Sequence, residues 1–215
     1  MKTKVFAFLF KNKVVIIMNI LGLYLFVKMA EDVVEKESIL VIDRWIETSI
    51  NVIQTPLWNT FMVTLTHFNG AMGIFIFSLI MMLVLTYKQW YNDLVFYIVS
   101  VFGANIVYIT IKLIVQRDRP SSDILSITTY SFPSGHATMA TAMALALYFI
   151  VAKRVSYLGL RLALLIGCIV WPLIIAFSRV YLDVHWLSDV IAGIGLGVFW
   201  VTLVELINRF KNIVG

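Results

Sequence analysis

The stretch Ser178-Arg-Val-Tyr-Leu-Asp-Val-His-Trp-Leu-Ser-Asp189 lies between two long apolar runs. His185 and Asp189 are four residues apart, so in a helix that begins near Trp186 their side chains share one face. A carboxylate that accepts the proton of one imidazole nitrogen leaves the other nitrogen with a free lone pair. Arg179 carries a planar set of donors that matches phosphate or carboxylate oxygens. The stretch therefore indicates a nucleophile or base with an orienting partner, beside an anion-binding arginine.

Simpler interpretations of these residues remain open at this point. Arg179 at a helix end could complement the helix dipole or extend to the membrane interface. His185 and Asp189 could form only a local hydrogen bond, or could be two metal ligands. The choice depends on what the rest of the chain supplies.

The composition is that of a membrane protein with several spans. Of the 215 residues 61% are hydrophobic and 13% are charged, and the mean hydropathy is +0.93. No linker, repeat or low-complexity tract interrupts the apolar runs, so we expect a single domain over residues 1–215. One cysteine, Cys168, excludes an internal disulfide. The net charge of +5 is spread over the flanks of the apolar runs, which argues against nucleic acid as a partner.

The apolar runs predict an all-α bundle of six transmembrane helices, each near the roughly 20 residues that cross the hydrocarbon core. The runs are Val14–Met29, Phe61–Leu85, Leu94–Val115, Ala137–Ala152, Leu160–Val180 and Trp186–Ile207. Ten of the seventeen basic residues fall in the N-terminal segment, the loops after the second and fourth spans, and the C-terminal segment. The positive-inside preference therefore predicts cytoplasmic termini, with the loops after spans one, three and five outside.

The first outer loop, Ala30–Asn59, is long enough to hold a further helix. Ile39, Ile42, Trp45, Ile46 and Ile50 recur in it at helical spacing. We expect an amphipathic helix that lies in the outer interface between the first two spans. It could gate lipid entry or simply cover the bundle.

Three polar clusters converge on the predicted outer face. One contains Lys112 and Arg119, the second runs from Ser131 to His136, and the third is Ser178–Asp189. Cations this close to hydrocarbon cost roughly 2.5 to 3.5 kcal/mol each on insertion scales, so a cluster of them calls for an anion. A phosphate group would serve this role.

The second cluster can add donors to such an anion site. Ser134 is a candidate N-cap for the fourth span, and Gly135 lets the backbone approach a ligand closely. The first amide groups of that helix could then point at phosphate oxygens, with His136 beside the same anion.

These motifs resemble the three-part signature of the type 2 phosphatidic acid phosphatase superfamily. The matching segments are Lys112 to Arg119-Pro120, Pro133-Ser134-Gly135-His136, and Ser178-Arg179 with His185 and Asp189, so that eleven positions agree in order and spacing. The signature covers residues 112–189, in the segments 112–120, 133–136 and 178–189, and the six-span layout extends the likeness to most of the chain.

The resemblance implies a role for each of these residues. His185 would be the nucleophile that forms a phosphohistidine, Asp189 would orient it, and His136 would be the general acid. The phosphate would be bound by Lys112, Arg119, Ser134, Gly135 and Arg179. The resemblance implies no metal and no cofactor, because cations and amide groups already surround the phosphate.

The expected protein is thus a phosphatase of the bacterial cytoplasmic membrane that acts on a lipid phosphate or pyrophosphate at the outer face. Undecaprenyl pyrophosphate, phosphatidylglycerol phosphate and phosphatidic acid all fit, and the sequence does not choose among them or give an oligomeric state. A non-catalytic lipid-phosphate binding or transport protein is the alternative.

Two expectations concern packing rather than chemistry. Gly193 and Gly197 form a small-residue pair on the sixth span, which favours a close approach to the small face of the fourth span around Ala137 and Thr141. His67 lies within the second span, and we interpret it as a buried hydrogen-bonding residue rather than a catalyst.

Overall fold

The computed structural model describes residues 8–36, 39–125 and 127–214, with side chains up to residue 211, and these residues contain helices and loops but no strand. The main helices are α1 Lys13–Val34, α2 Ile39–Ile53, α3 Pro56–Phe68, α4 Ala71–Tyr87, α5 Tyr91–Val115, α6 Gly135–Ala152, α7 Leu158–Tyr181 and α8 Leu187–Val214. The all-α prediction is confirmed. Five of the six predicted apolar runs each lie within one helix of this set, except that the sixth run begins one residue before its helix. The second run spans two helices, α3 and α4.

The second predicted span is a bent pair of helices. Among the described residues, five helices are long and apolar enough to cross a membrane, and α3 with α4, bent by 41°, makes a sixth crossing if the pair is one span. The bend lies at Asn69 and Gly70, which cap the end of α3 and the start of α4.

The prediction for His67 is wrong, because its side chain is exposed. Thr66 on α3 and Asn69, which caps the end of α3, are both buried. His67 lies about 100° further round the same helix and faces away from the bundle.

The centre of the bundle is formed by α8, which packs against α1 on one side and α6 on the other. A Cβ at Gly193 would lie 2.7 Å from the Ser134 carbonyl oxygen, and one at Gly197 would lie 2.7 Å from Cβ of Thr141. The predicted small-residue contact between these two helices is therefore confirmed. It draws the start of α6, which carries His136, against the start of α8, which carries Asp189.

The helix α2 lies within the loop Ala30–Asn59, where an amphipathic helix was expected. Its apolar residues Val41, Ile42, Trp45 and Val52 are exposed, whereas Asp43 is buried against the bundle. An exposed apolar face suits contact with lipid. The inward face, in contrast, carries a carboxylate, which the sequence pattern did not predict.

The ends of the bundle differ in chemistry. At the start of α5, Asp93 pairs with Lys153 and Arg154, which follow the end of α6. The other end of the same two helices carries Lys112 and His136. The predicted site residues therefore lie at the end of the bundle opposite to this ion cluster.

Candidate active site

A cavity of about 780 Å³ opens where α5 ends and α6 begins. Six predicted site residues line it: Lys112, Arg119, Gly135, His136, Arg179 and His185. They come from α5, the loop before α6, the start of α6, the end of α7 and the loop before α8. The structure thus brings both motif imidazoles and three cations from distant segments into one cavity.

The other two predicted site residues, Ser134 and Asp189, are fully buried and do not belong to the described lining of the cavity. Ser134 caps α6, since its hydroxyl accepts a hydrogen bond from the Ala137 amide, as expected for an N-cap. Its own amide donates to the Asp189 carbonyl at 3.0 Å. In this structure Ser134 therefore fixes the start of α6 against α8, and its hydroxyl does not face the cavity.

Gly135 lines the cavity beside the ring of Tyr108. A Cβ at this position would lie 2.8 Å from Cε2 of Tyr108. A larger residue would therefore push against α5, which carries both Tyr108 and Lys112. The glycine keeps the first turn of α6 open to the cavity.

His185 lies between a carboxylate and a guanidinium. Its Nδ1 is 3.3 Å from Oδ2 of Asp189, and its Nε2 is 3.1 Å from Nη1 of Arg119. Because a guanidinium only donates, Nε2 must be the acceptor in this contact, and Nδ1 then carries the proton that faces Asp189. This tautomer leaves the only free ring lone pair on Nε2, where it faces the Arg119 guanidinium at the cavity.

The electrostatic environment keeps His185 neutral. Burial lowers the pKa of His185 well below its ordinary value of 6.5, and the positive charges of Arg119, Arg179 and Lys112 lower it further. A neutral imidazole at physiological pH is able to act as a nucleophile, whereas an imidazolium is not.

Lys112 and Arg119 hold the loop between α5 and α6 at the mouth of the cavity. The Lys112 ammonium donates to the Tyr130 carbonyl at 2.8 Å. Arg119 donates to the carbonyls of Thr129 and Tyr130 at 2.6 and 2.9 Å, and also to that of Val184. These cations are thus fixed by neutral carbonyl groups, and neither forms an ion pair with a carboxylate among the described residues. Their positive charge remains available to an anion.

Arg179 is buried in the wall of the cavity. Its Nη1 donates to the Thr66 hydroxyl at 3.0 Å, while its Nε has no hydrogen-bond partner in the described part of the chain. A buried donor without an acceptor is costly, and an anion bound in the cavity is a natural partner for it.

The broken second span supplies site residues that the sequence interpretation missed. Thr66 binds Arg179, and the Asn69 side chain donates to the His136 carbonyl at 2.9 Å. Both lie beside the bend between α3 and α4. The cluster Thr66-His67-Phe68-Asn69-Gly70 inside an apolar run was a visible signal of a break in the helix, but the run was interpreted as one continuous span.

A second missed group lies behind Asp189. Arg117 donates to Asp189 Oδ1 at 2.6 Å and to Asp43 Oδ2 at 2.7 Å, and Asp43 also accepts from the Ser188 hydroxyl. Arg117 and Asp118 are adjacent in the sequence, so a local ion pair between them could have formed. Among the described residues the charged partners of Arg117 are instead Asp43 and Asp189, 74 and 72 positions away.

The cavity continues as an apolar wall toward the outside of the bundle. Phe75 from α4 and Phe102, Ile109 and Leu113 from α5 line it and are exposed at the surface. Cations at one end and exposed apolar side chains at the other match a ligand with an anionic head and a hydrocarbon tail.

No metal-binding cluster is found within residues 8–36, 39–125 and 127–214, where no three His, Cys, Asp or Glu side chains come together as ligands would. The interpretation of His185 and Asp189 as two metal ligands therefore finds no third ligand of these types among the described residues.

The fold and the cavity together define an all-helical membrane protein with three cationic side chains and two imidazoles grouped at one end of the bundle. The comparison with known families gives the class. The model of the PAP2 superfamily matches residues 93–212, and the chain belongs to this superfamily of phosphatases. The resemblance inferred from the motifs is confirmed.

Several known proteins are similar to this chain. Phosphatidylglycerophosphatase B of Bacillus subtilis is 25% identical over 202 residues, which is 89% of this chain and 97% of that protein. Decaprenylphosphoryl-5-phosphoribose phosphatase of Mycobacterium tuberculosis is 37% identical over 45% of this chain and 50% of its own length. The crystal structure of the transmembrane PAP2-type phosphatidylglycerolphosphate phosphatase from Bacillus subtilis has a TM-score of 0.80 and 22% identity, covering 91% of this chain and 98% of that one.

Proposed function

We propose that this protein hydrolyses the terminal phosphate of a lipid phosphate or pyrophosphate through a phosphohistidine on His185. One observation carries the proposal most: a single cavity holds both motif imidazoles and three cations at one end and continues into an exposed apolar wall at the other. A soluble phosphate ester would not require the apolar wall. A lipid phosphate uses both parts.

The first step transfers the phosphoryl group to the enzyme. Nε2 of His185 attacks phosphorus, the new N–P bond forms, and the bond from phosphorus to the lipid oxygen breaks. His136 donates a proton to the departing oxygen, and Lys112, Arg119 and Arg179 stabilise the charge on the three remaining oxygens. Arg119 already contacts Nε2, so the phosphate would enter between these two groups and bond to both.

The second step returns the enzyme to its starting state. Water attacks phosphorus and His136 takes its proton, the N–P bond breaks, and inorganic phosphate leaves. Asp189 holds the His185 ring in the same tautomer throughout. The products are phosphate and a lipid alcohol, or a lipid monophosphate when the substrate is a pyrophosphate.

The enzyme can be distinguished from a binding or transport protein by phosphate release. Purified protein in detergent is incubated with phosphatidylglycerol phosphate, phosphatidic acid and undecaprenyl pyrophosphate side by side, and inorganic phosphate is measured. Turnover of at least one substrate, lost in His185→Ala and retained in EDTA, supports the proposal. Binding without release would favour the transport alternative, and loss in EDTA that only a divalent ion restores would favour a metal enzyme.

The cavity and the relatives both support a lipid phosphate as the class of substrate. The names of the two similar enzymes refer to phosphatidylglycerophosphate and a decaprenylphosphoryl compound, which are a phospholipid and a polyprenyl lipid. We expect the tail to lie along Phe75 and Phe102, between α4 and α5. The three-substrate assay above decides which of these tails is preferred.

We further propose that the chain is a single domain with both termini in the cytoplasm and its site outside. By the positive-inside preference, the Lys153 and Arg154 cluster supports a cytoplasmic location for its end of the bundle. The exposed positions Ser121 and Lys88 lie near opposite ends. Intact cells that carry Ser121→Cys should react with a membrane-impermeant maleimide, and Lys88→Cys should react only after permeabilisation; the reverse pattern would invert the topology. The native Cys168 is buried and gives a low background.

A further inference from the structure

The helix α2 reaches the candidate active site through a buried carboxylate. The Asp43 side chain is 1% exposed, although the helix shows apolar residues such as Val41 and Trp45 on its outer face. A buried carboxylate is costly unless it is fully paired. Asp43 is paired: Oδ1 accepts from the Ser188 amide at 2.9 Å, and Oδ2 accepts from Arg117 and from the Ser188 hydroxyl. The helix is thus joined to the start of α8 by a satisfied polar network.

Arg117 connects this network to Asp189. Nη2 of Arg117 binds Asp43, while its Nη1 binds Asp189 Oδ1 at 2.6 Å and the Ser188 hydroxyl at 2.7 Å. The guanidinium therefore bridges two carboxylates, neither of which is appreciably exposed. Its planar fork fixes the angle between them, which a single ammonium would not do.

Asp189 divides its two oxygens between this network and the imidazole. Oδ1 faces Arg117, while Oδ2 faces Nδ1 of His185 and accepts from the Trp186 amide at 3.1 Å. Rotation of the carboxylate would break contacts on both sides. The direction in which Asp189 holds His185 is therefore set by Arg117, and the position of Arg117 is set by Asp43.

We propose that Asp43 is a positioning residue for the phosphoryl-transfer reaction, acting through Arg117 and Asp189 on the orientation of His185. The inference rests on the proposed function, in which His185 is the nucleophile. It assigns to α2 a part in the reaction that differs from both covering the bundle and admitting lipid. The exposed apolar face of α2 suits contact with lipid, and its buried face holds the nucleophile in line.

Asp43→Asn tests this with little change in size. We expect kcat to fall by about tenfold to a hundredfold, the range typical when a group that orients a catalytic side chain is lost, with KM within about threefold. The rate of phosphoenzyme formation in a single turnover should fall by the same factor as kcat. The matched control is Glu205→Gln, which breaks an ion pair with Arg209 on the part of α8 that is far from the site. This variant should keep kcat within about twofold of wild type.

The path through Arg117 is tested with a double-mutant cycle. If Asp43 acts through Arg117, its loss should matter little once Arg117 is gone. The kcat of the double variant Asp43→Asn/Arg117→Gln should then lie within about threefold of the kcat of Arg117→Gln alone. Ser188→Ala is a smaller change that weakens the same link, and it should lower kcat severalfold even if Asp43→Asn does not fold.

The outcomes separate the two proposals. Wild-type turnover that is lost in His185→Ala establishes the function independently of Asp43. With that in place, a folded Asp43→Asn protein with kcat within twofold of wild type would overturn the positioning role. The role would also be overturned if the fall in kcat of Asp43→Asn were fully explained by the fraction of unfolded protein seen in thermal melts. A third contradicting result would be a double variant in which the two single losses of kcat multiply, because the two residues would then act independently.

Discussion

Nη1 of Arg119 lies 3.1 Å from Nε2 of His185, while the other ring nitrogen faces Asp189 at 3.3 Å. The imidazole is thus held between a donor and an acceptor, which selects one tautomer before any substrate arrives. A phosphate that enters beside Nε2 would meet the nucleophile and a cation at the same point. This arrangement makes the chemistry sensitive to Arg119 in two ways, through charge on the phosphate and through the protonation of His185.

Arg119→Gln should lower kcat/KM by about a hundredfold to a thousandfold at neutral pH, the usual loss when one donor to a transition-state oxyanion is removed. It should also change the pH profile. Arg119 helps to lower the pKa of His185, and only neutral His185 attacks phosphorus. Without that charge, His185 is protonated at a higher pH, so the acid limb of kcat/KM should move upward. An acid limb that stays in place or moves downward would contradict this assignment.

The contact between α6 and α8 should tolerate no added methyl group. Gly193→Ala places a Cβ 2.7 Å from the Ser134 carbonyl oxygen, and the resulting overpacking should cost about 1–3 kcal/mol and displace His136. A lower melting temperature and reduced turnover are expected together. The matched control is Gly167→Ala on α7, where a Cβ would meet no atom of the described residues within 4 Å beyond its own helix backbone, and both properties should be retained. Equal behaviour of the two variants would mean that the contact does not position the site.

Thr66→Val should reduce kcat/KM by about threefold to tenfold with little effect on melting temperature. The substitution keeps the shape of the side chain but removes the acceptor for Nη1 of Arg179, so that the guanidinium loses its fixed orientation. Thr64→Val is the control, because the Thr64 hydroxyl is bonded to its own helix at Thr60 and lies on the exposed side. A loss of the same size in both variants would assign the effect to α3 as a whole.

The buried Asp183 side chain should make the stability of the folded protein depend on pH. Burial raises the pKa of Asp183 from 3.8 to about 6, against a hydrogen bond from Gln54 that lowers it. Since the pKa is higher in the folded than in the unfolded state, its contribution favours folding at low pH and is lost as pH rises from about 4 through 6. The charged form is therefore unfavourable at neutral pH.

Asp183→Asn should accordingly raise the melting temperature at pH 7.5, by the equivalent of about 1 kcal/mol, and most of the gain should vanish near pH 4.5. The backbone φ of 50° suits asparagine as well as aspartate, and the amide oxygen of the substituted side chain can still accept from Gln54. Melting curves in detergent at the two pH values test this, and an equal gain at both would exclude the titration of Asp183 as its cause.

The sequence predicted the helices well because apolar runs are local signals, and its motifs named residues that the structure groups at one cavity. The apolar runs gave five of the six spans as single helices, and the motif spacings placed Lys112, His136 and His185 on the ends that meet at the cavity. The small residues Gly193 and Gly197 correctly indicated which helices approach each other.

The parts that the sequence did not predict depend on contacts between distant segments. Nothing near Asp43 indicates that it binds Arg117, 74 positions away, because an acidic residue in an outer loop is usually solvated. The burial of His67 was predicted wrongly because its neighbours Thr66 and Asn69 take the buried positions at the end of α3. Ser134 was expected to cap α6, which the structure confirms, whereas its full burial depends on the packing of α6 against α8, which no local pattern predicts.

The central claim is that His185 carries the phosphoryl group during turnover, and rapid-quench trapping tests it directly. Purified protein is mixed in a single turnover with a lipid phosphate labelled at its terminal phosphorus and quenched with base, which preserves phosphohistidine. We predict that label appears on the wild-type protein, is released by acid, and is absent from His185→Ala, which also releases no phosphate. Phosphate release by His185→Ala at near the wild-type rate, or equal labelling of both proteins, would contradict the account.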